Sequence, residues 1–322
     1  MRFIVRRFLL FVAALFVISV VIFAALRILP GDAPSVMAGL NAPPERVAML
    51  RSQMGLDRPL AVQYSSWIDG LLHGDFGISL LTGRPIGSMV AARCSVTFPL
   101  IVLGLIVAIA IGLTFGVMAV LTTRPALRSG FHLLGLIGGA IPALWGGLLL
   151  ILLFGRGTGL LGVLPSQGFP ETGWDSFRTA FASLVLPALT VGVISGASLM
   201  RYTRSALGDI MHSGYIDQAM ACGYTRRAAA LKVGLRLTMP QLVSVVGLMF
   251  ASMITGVMVV ENLFALPGIG TGLVTDLGNR DLIAVQSELF MLAAFFLFIG
   301  FLVDLLHRFL DPRLRYAVQE RA

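Results

Sequence analysis

The chain has 322 residues, of which 57% are apolar and only 12% charged, and its net charge is +8. Soluble proteins carry about 25% charged residues, and a globule of this length cannot bury so much apolar surface. A soluble fold, a disordered chain, a collagen-like repeat and a disulfide scaffold are all excluded, the last two by scattered Gly and only two Cys.

What remains is an all-α integral membrane protein, a single transmembrane domain over 1–322. Apolar runs long enough to span lie at about 8–26, 96–121, 131–154, 181–200, 242–260 and 289–306. No period-two alternation supports a β-barrel. The first run follows Arg2, Arg6 and Arg7, as a signal peptide would. It is longer than an h-region, and no small-x-small cleavage site follows before Arg27 and Pro30. It therefore reads as a retained first helix.

Arginine and lysine placement orients the six spans. Both termini, the 122–130 loop and the 201–241 segment, counted with Asp304 at the inner end of the last span, hold 15 basic and five acidic residues, a net +10. The opposite side holds 9 basic and 11 acidic residues, a net −2. The first side is expected to be cytoplasmic, with both termini inside. Topology thus accounts for the basic excess, and no nucleic-acid partner is implied.

The external segment 27–95 is too long for a turn. It contains an amphipathic stretch, Ala61–Leu72, with Tyr64 and Trp67 suited to the membrane interface. Pro142 and Pro187 interrupt backbone hydrogen bonding where spans bend or re-enter. The pairs Gly138-Gly139 and Gly146-Gly147 read as close-packing positions.

Enzyme chemistry finds little support. The only lysine is Lys232, so no phosphate loop ends in Lys-Ser/Thr. His73, His132, His212 and His307 are far apart, and Cys94 and Cys222 lack metal-ligand spacing. No Gly-x-Ser-x-Gly is present. No catalytic residue, cofactor or metal is expected, and a membrane enzyme ranks last among the readings. Glu261 and Glu288 fall at span ends near the external interface, where solvation is cheap, so a proton or ion relay has thin support.

The 201–241 segment is the strongest local signal. It contains Tyr215-Ile216-Asp217-Gln218-Ala219-Met220-Ala221-Cys222-Gly223-Tyr224-Thr225-Arg226-Arg227. Good helix formers run up to Cys222. Gly223 can take a left-handed C′ position at no steric cost, and Thr225 can N-cap a second helix. A helix–Gly–helix elbow is expected, with Arg226 and Arg227 at its tip. An ordinary loop is usually shorter and richer in Gly, Ser and Pro.

This elbow resembles the cytoplasmic "EAA" loop of bacterial ABC-importer permeases. Asp217, Gln218, Ala219 and Gly223 occupy the motif's acidic, Ala-like and Gly places. Further motifs extend the match nearly end to end. They are Pro30-Gly31-Asp32-Ala33-Pro34, Gly55-Leu56-Asp57-Arg58-Pro59-Leu60, Gly74-Asp75-Phe76-Gly77-Ile78-Ser79 and Arg84-Pro85. Toward the C-terminus follow Arg201-Tyr202-Thr203-Arg204-Ser205, Phe264-x-x-Pro267-Gly268-Ile269-Gly270 and Leu310-Asp311-Pro312-Arg313-Leu314-Arg315-Tyr316. Together they resemble the B-type permease subunit of dipeptide, oligopeptide and nickel ABC importers. Asp217 stands where Glu is usual, Gln218 replaces the first Ala, and Cys222 replaces a common basic residue.

The resemblance implies a type I ABC importer permease in the bacterial inner membrane. Its partners would be a second homologous permease, two ATP-binding subunits, an extracytoplasmic solute-binding protein and membrane lipid. It implies that Asp217, Gln218, Ala219, Gly223, Arg226 and Arg227 belong to the ATPase-coupling loop. Peptides are the expected solute. Nickel or another metal chelate is the alternative within the class, and an ion-coupled secondary transporter is the rival outside it. The latter would want buried carboxylates, which are scarce on this reading of the sequence.

Overall fold

The structure, a computed structural model, describes residues 2–28, 33–38, 42–53, 55–79 and 82–310. Residues 30–32 of the first motif and 311–316 of the last lie outside them. The described helices, in chain order, are α1 (Arg2–Ile28), α2 (Ala33–Ala38), α3 (Pro44–Gln53), α4 (Leu60–His73) and α5 (Ile86–Leu121). Then come α6 (Pro125–Ala140), α7 (Ala143–Phe154), a 3-10 turn (Gly173–Ser176) and α8 (Phe177–Ile210). The series ends with α9 (Gly214–Ala221), α10 (Arg226–Ala229), a π-helical turn (Ala230–Gly234), α11 (Leu235–Leu263), α12 (Ile269–Gly278) and α13 (Leu282–Leu310). Among the described residues β-pairing is confined to two isolated bridges, Ile78 with Pro85 and Gly155 with Leu164.

Among the described residues five helices are long and apolar enough to cross a membrane, and six spans result if α6 and α7 count as one broken span. The third apolar run is thus not one straight helix. α6 and α7 meet at 109°. The break falls where Pro142, in extended backbone, cannot donate the next helical hydrogen bond. α5, with 36 residues, starts ten residues before the apolar run suggests, at Ile86.

The chain divides into two compact units. The first comprises Met1–Thr97 and Pro267–Phe298. Its apolar core joins Ile22 and Leu26 of α1 to Val285 of α13, flanked by Leu273 and Phe290. The expected amphipathic stretch is α4, but its aromatic residues face protein. Tyr64 bonds Ser19 at 2.8 Å. Trp67 lies 6.3 Å from the Phe23 ring and 5.7 Å from that of Phe290.

The second unit comprises Phe98–Leu266 and Ile299–Ala322, with α8 packed against α6, α7 and α11. Small residues allow close helix approach. A Cβ on Gly112 would lie 2.5 Å from Leu199 Cβ, and one on Gly116 would lie 2.5 Å from Thr203 Cβ. On α6, Gly138 abuts Ala197 and Gly139 abuts the Arg201 guanidinium. Arg201 also donates from Nη1 to the Gly135 carbonyl at 2.6 Å. In α7, Gly147 is pressed against Leu263 and Phe264, whereas Gly146 has ordinary contacts. Packing therefore explains three of the four paired glycines.

Candidate functional site: the 201–241 elbow and a buried ion cluster

Local chemistry dictates the backbone of the 201–241 segment. α8 runs on to Ile210, and α9 begins at Gly214. α9 ends at Ala221, and Gly223 follows with φ +91°. A Cβ at Gly223 would meet nothing within 4 Å, so the demand for glycine there is one of backbone conformation alone. Thr225 then caps α10, its Oγ1 accepting from Ala228 N at 3.3 Å.

A small core fastens these two short helices. Ile216 and Ala219 of α9 pack with Met211, Ala229 and Ala230, and Val120, Leu121 and Val233 flank them. Ile216, Ala229 and Ala230 are almost completely buried. Gly234 fits under Leu207 and Ile216, where a Cβ would lie 3.0 Å from Leu207 Cδ1. The pair is thereby held on the ends of α5 and α8. Of the residues expected in the coupling loop, Asp217, Gln218, Gly223, Arg226 and Arg227 are exposed. Ala219 is 8% exposed and belongs to the core beneath them.

A second polar constellation lies in the first unit. Glu288 is fully buried rather than solvated at a span edge, and so is Glu261 in the second unit. This corrects the expectation of cheap solvation. Buried carboxylates are not scarce either, since Asp276 and Asp281 are buried too. The Arg93 guanidinium bonds Glu288 Oε1 and lies 2.5 Å from Asp276 Oδ2. Gly272 makes room for it, because a Cβ there would fall 2.6 Å from Arg93 Cζ. Beside this pair, Ser79 Oγ donates to Asp281 Oδ2 at 2.5 Å. Asp281 Oδ1 accepts from Ala284 N at 3.3 Å and so caps α13. Thr97 Oγ1 accepts from Ile269 N at 2.8 Å at the start of α12.

Sequence reasoning missed Arg93, Asp276 and Asp281, which it counted only as external charges. The available signal was an arginine entering an apolar run with acids near the last span, since buried charges in such runs are paired. The arrangement is an internal ion pair and a set of helix caps. Among the described residues, no group of three or more His, Cys, Asp or Glu side chains is placed to hold a metal ion. Cys94 is buried and Cys222 exposed, and both are free.

Residues 108–316 match the family described as "Binding-protein-dependent transport system inner membrane component". Residues 1–98 match the N-terminal domain of the same systems. A putative peptide transport system permease protein of Brucella abortus is 33% identical over 305 residues, covering 95% of this chain and 96% of the relative. A probable peptide ABC transporter permease protein of Sinorhizobium fredii is 32% identical over 314 residues, 98% of this chain and 99% of the relative. A glutathione transport system permease protein of Salmonella typhimurium is 33% identical over 317 residues, again 98% and 99%. Two adjoining matches and near-complete coverage lead to one assignment: the chain belongs to the family of binding-protein-dependent transport system inner membrane components.

Proposed function

We propose that this chain is one of two homologous permease subunits of an ATP-driven importer, and that it passes peptides delivered by an external binding protein. The carrying observation is the elbow. Two short helices, joined at Gly223 and fastened by the Met211–Ile216–Ala229–Ala230 core, present exposed Asp217, Gln218, Arg226 and Arg227. Such a packed element passes displacement into α5 and α8, whereas a flexible loop would absorb it. Two ATP-binding subunits grip the elbows from the cytoplasm. Their closure on ATP shifts the permeases between inward- and outward-open packings, a bistable rearrangement.

The asymmetry of basic residues supports this placement. The segments carrying a net +10 are cytoplasmic, as are both termini, and 27–95 is external. The chain is a permease and leaves ATP hydrolysis to its partners, since it has no phosphate loop. Membership in a binding-protein-dependent family ranks this reading above an ion-coupled transporter. Relatives whose names say peptide and glutathione rank peptides above nickel or another metal chelate.

The test is uptake into vesicles holding the full transporter and its binding protein. Radiolabelled di- and oligopeptides should accumulate only with ATP, and a nickel chelate should not compete. Peptide accumulation driven by an ion gradient without ATP would overturn the importer reading. Uptake of the chelate instead of peptide would overturn the solute.

A further inference from the structure

Within the second unit, a cavity of about 1100 Å³ opens between the ends of α5 and α8 and the starts of α6 and α10. Four arginines line it, Arg128, Arg204, Arg226 and Arg227, and among the described residues no carboxylate does. None of the four has an ion-pair partner among the described residues. Arginine keeps its charge throughout the accessible pH range. Four such charges around one cavity repel one another, and an anion among them relieves that repulsion.

The lining is mixed. Arg204 Nη1 lies 2.8 Å from His132 Nδ1. The guanidinium has only donors, so His132 Nδ1 accepts and the ring proton sits on Nε2 as a further donor. Thr122, Thr123 and Ser129 add hydroxyls. Val120, Leu121, Leu133 and Met211 add apolar surface among them. Leu133 continues outward into an exposed row on α6, where Leu134, Leu136 and Ile137 are 47–60% exposed. A soluble acidic loop has no use for that row. An acyl chain does.

We propose that this cavity holds the phosphodiester headgroup of an anionic phospholipid. Arg128 and Arg204 grip the phosphate oxygens, and an acyl chain lies along the outer leucines of α6. Guanidinium–phosphate bonds are charge-assisted and often bidentate, and basic pockets at the ends of spans recognise anionic headgroups. Arg226 and Arg227 close the site from the elbow side. The lipid is then a wedge between the elbow and α6. This inference rests on the importer reading only for the leaflet it assigns, the cytoplasmic one.

The experiment uses the full-length chain, delipidated in mild detergent and examined by native mass spectrometry. Phosphatidylglycerol, cardiolipin, phosphatidylethanolamine and inorganic phosphate are added separately. The anionic lipids should be retained at least about tenfold better than phosphatidylethanolamine. The double variant Arg128→Gln/Arg204→Gln should lose that preference, Arg128→Lys/Arg204→Lys should keep part of it, and Arg124→Gln, outside the cavity, should keep it all. Equal retention of all lipids, or an unchanged Gln variant, overturns the proposal. Retention of inorganic phosphate with no lipid preference makes this a soluble-anion site and also overturns it. ATPase copurification is scored in parallel. Its loss in the Gln variant with lipid retention intact assigns the cavity to the protein partner, against the lipid. Normal copurification with no lipid effect leaves the importer reading standing and removes only the lipid.

Discussion

Arg93 and Asp276 stand 183 positions apart in the chain, yet Arg93 Nη1 lies 2.5 Å from Asp276 Oδ2. The same guanidinium meets Glu288, whose side chain is completely buried. Removing one partner of a buried pair leaves an uncompensated charge and costs roughly 3–5 kcal/mol. Arg93→Ala should therefore lower the thermal unfolding temperature in detergent sharply. Glu288→Gln keeps the shape and leaves Arg93 with Asp276, so it should be the milder lesion. Equal, negligible shifts would remove this cluster from the stability of the first unit.

Close packing of α5 on α8 makes a separate expectation. Gly112→Ala forces a Cβ to 2.5 Å from Leu199 Cβ, a fully buried neighbour. Overpacking of this kind costs about 1–3 kcal/mol. Gly256 on α11 has nothing within 4 Å of its would-be Cβ. Gly256→Ala should be neutral, or should stabilise by up to about 1 kcal/mol through helix propensity. Thermal unfolding of the two variants side by side checks the contrast.

The six apolar runs are legible in the sequence because a bilayer imposes one simple demand, about 20 apolar residues per span. The elbow is legible for a different reason. Gly223 and Thr225 encode the turn and the cap locally, within a few residues. What is not legible is whatever depends on distant partners. Glu288 looks like a solvated span edge until Arg93 is brought to it from 195 positions away. Tyr64 and Trp67 look like interface residues until Phe23 and Phe290 meet them. The third span is half legible. Pro142 marks the break, but the 109° bend depends on how α6 and α7 each pack against α8.

Orientation is open to direct chemical test. Cys222 is exposed and Cys94 buried, so the native chain offers one reactive thiol. A membrane-impermeant maleimide should label Cys222 in inverted vesicles and not in intact spheroplasts. In a Cys222→Ser background, an added Ser66→Cys, exposed on α4, should label only from outside. The reverse pattern would invert the topology.

The coupling role of the elbow is tested most directly at Gly223. Its φ of +91° is a conformation that a residue bearing a Cβ adopts at a cost of about 1–2 kcal/mol. The space around it is open, so folding and membrane insertion should survive a substitution. Gly223→Val should reach the membrane at near-normal levels but lose ATPase copurification or peptide-stimulated hydrolysis. Gly223→Asn should be milder, since Asn tolerates the left-handed region. Asp217→Ala, which removes a charge but not the turn, should be milder still. The decisive measurement is peptide transport by the assembled Gly223→Val transporter. A strong loss at normal membrane abundance is the predicted result. A wild-type transport rate with normal ATPase binding would contradict the elbow's role as the coupling element.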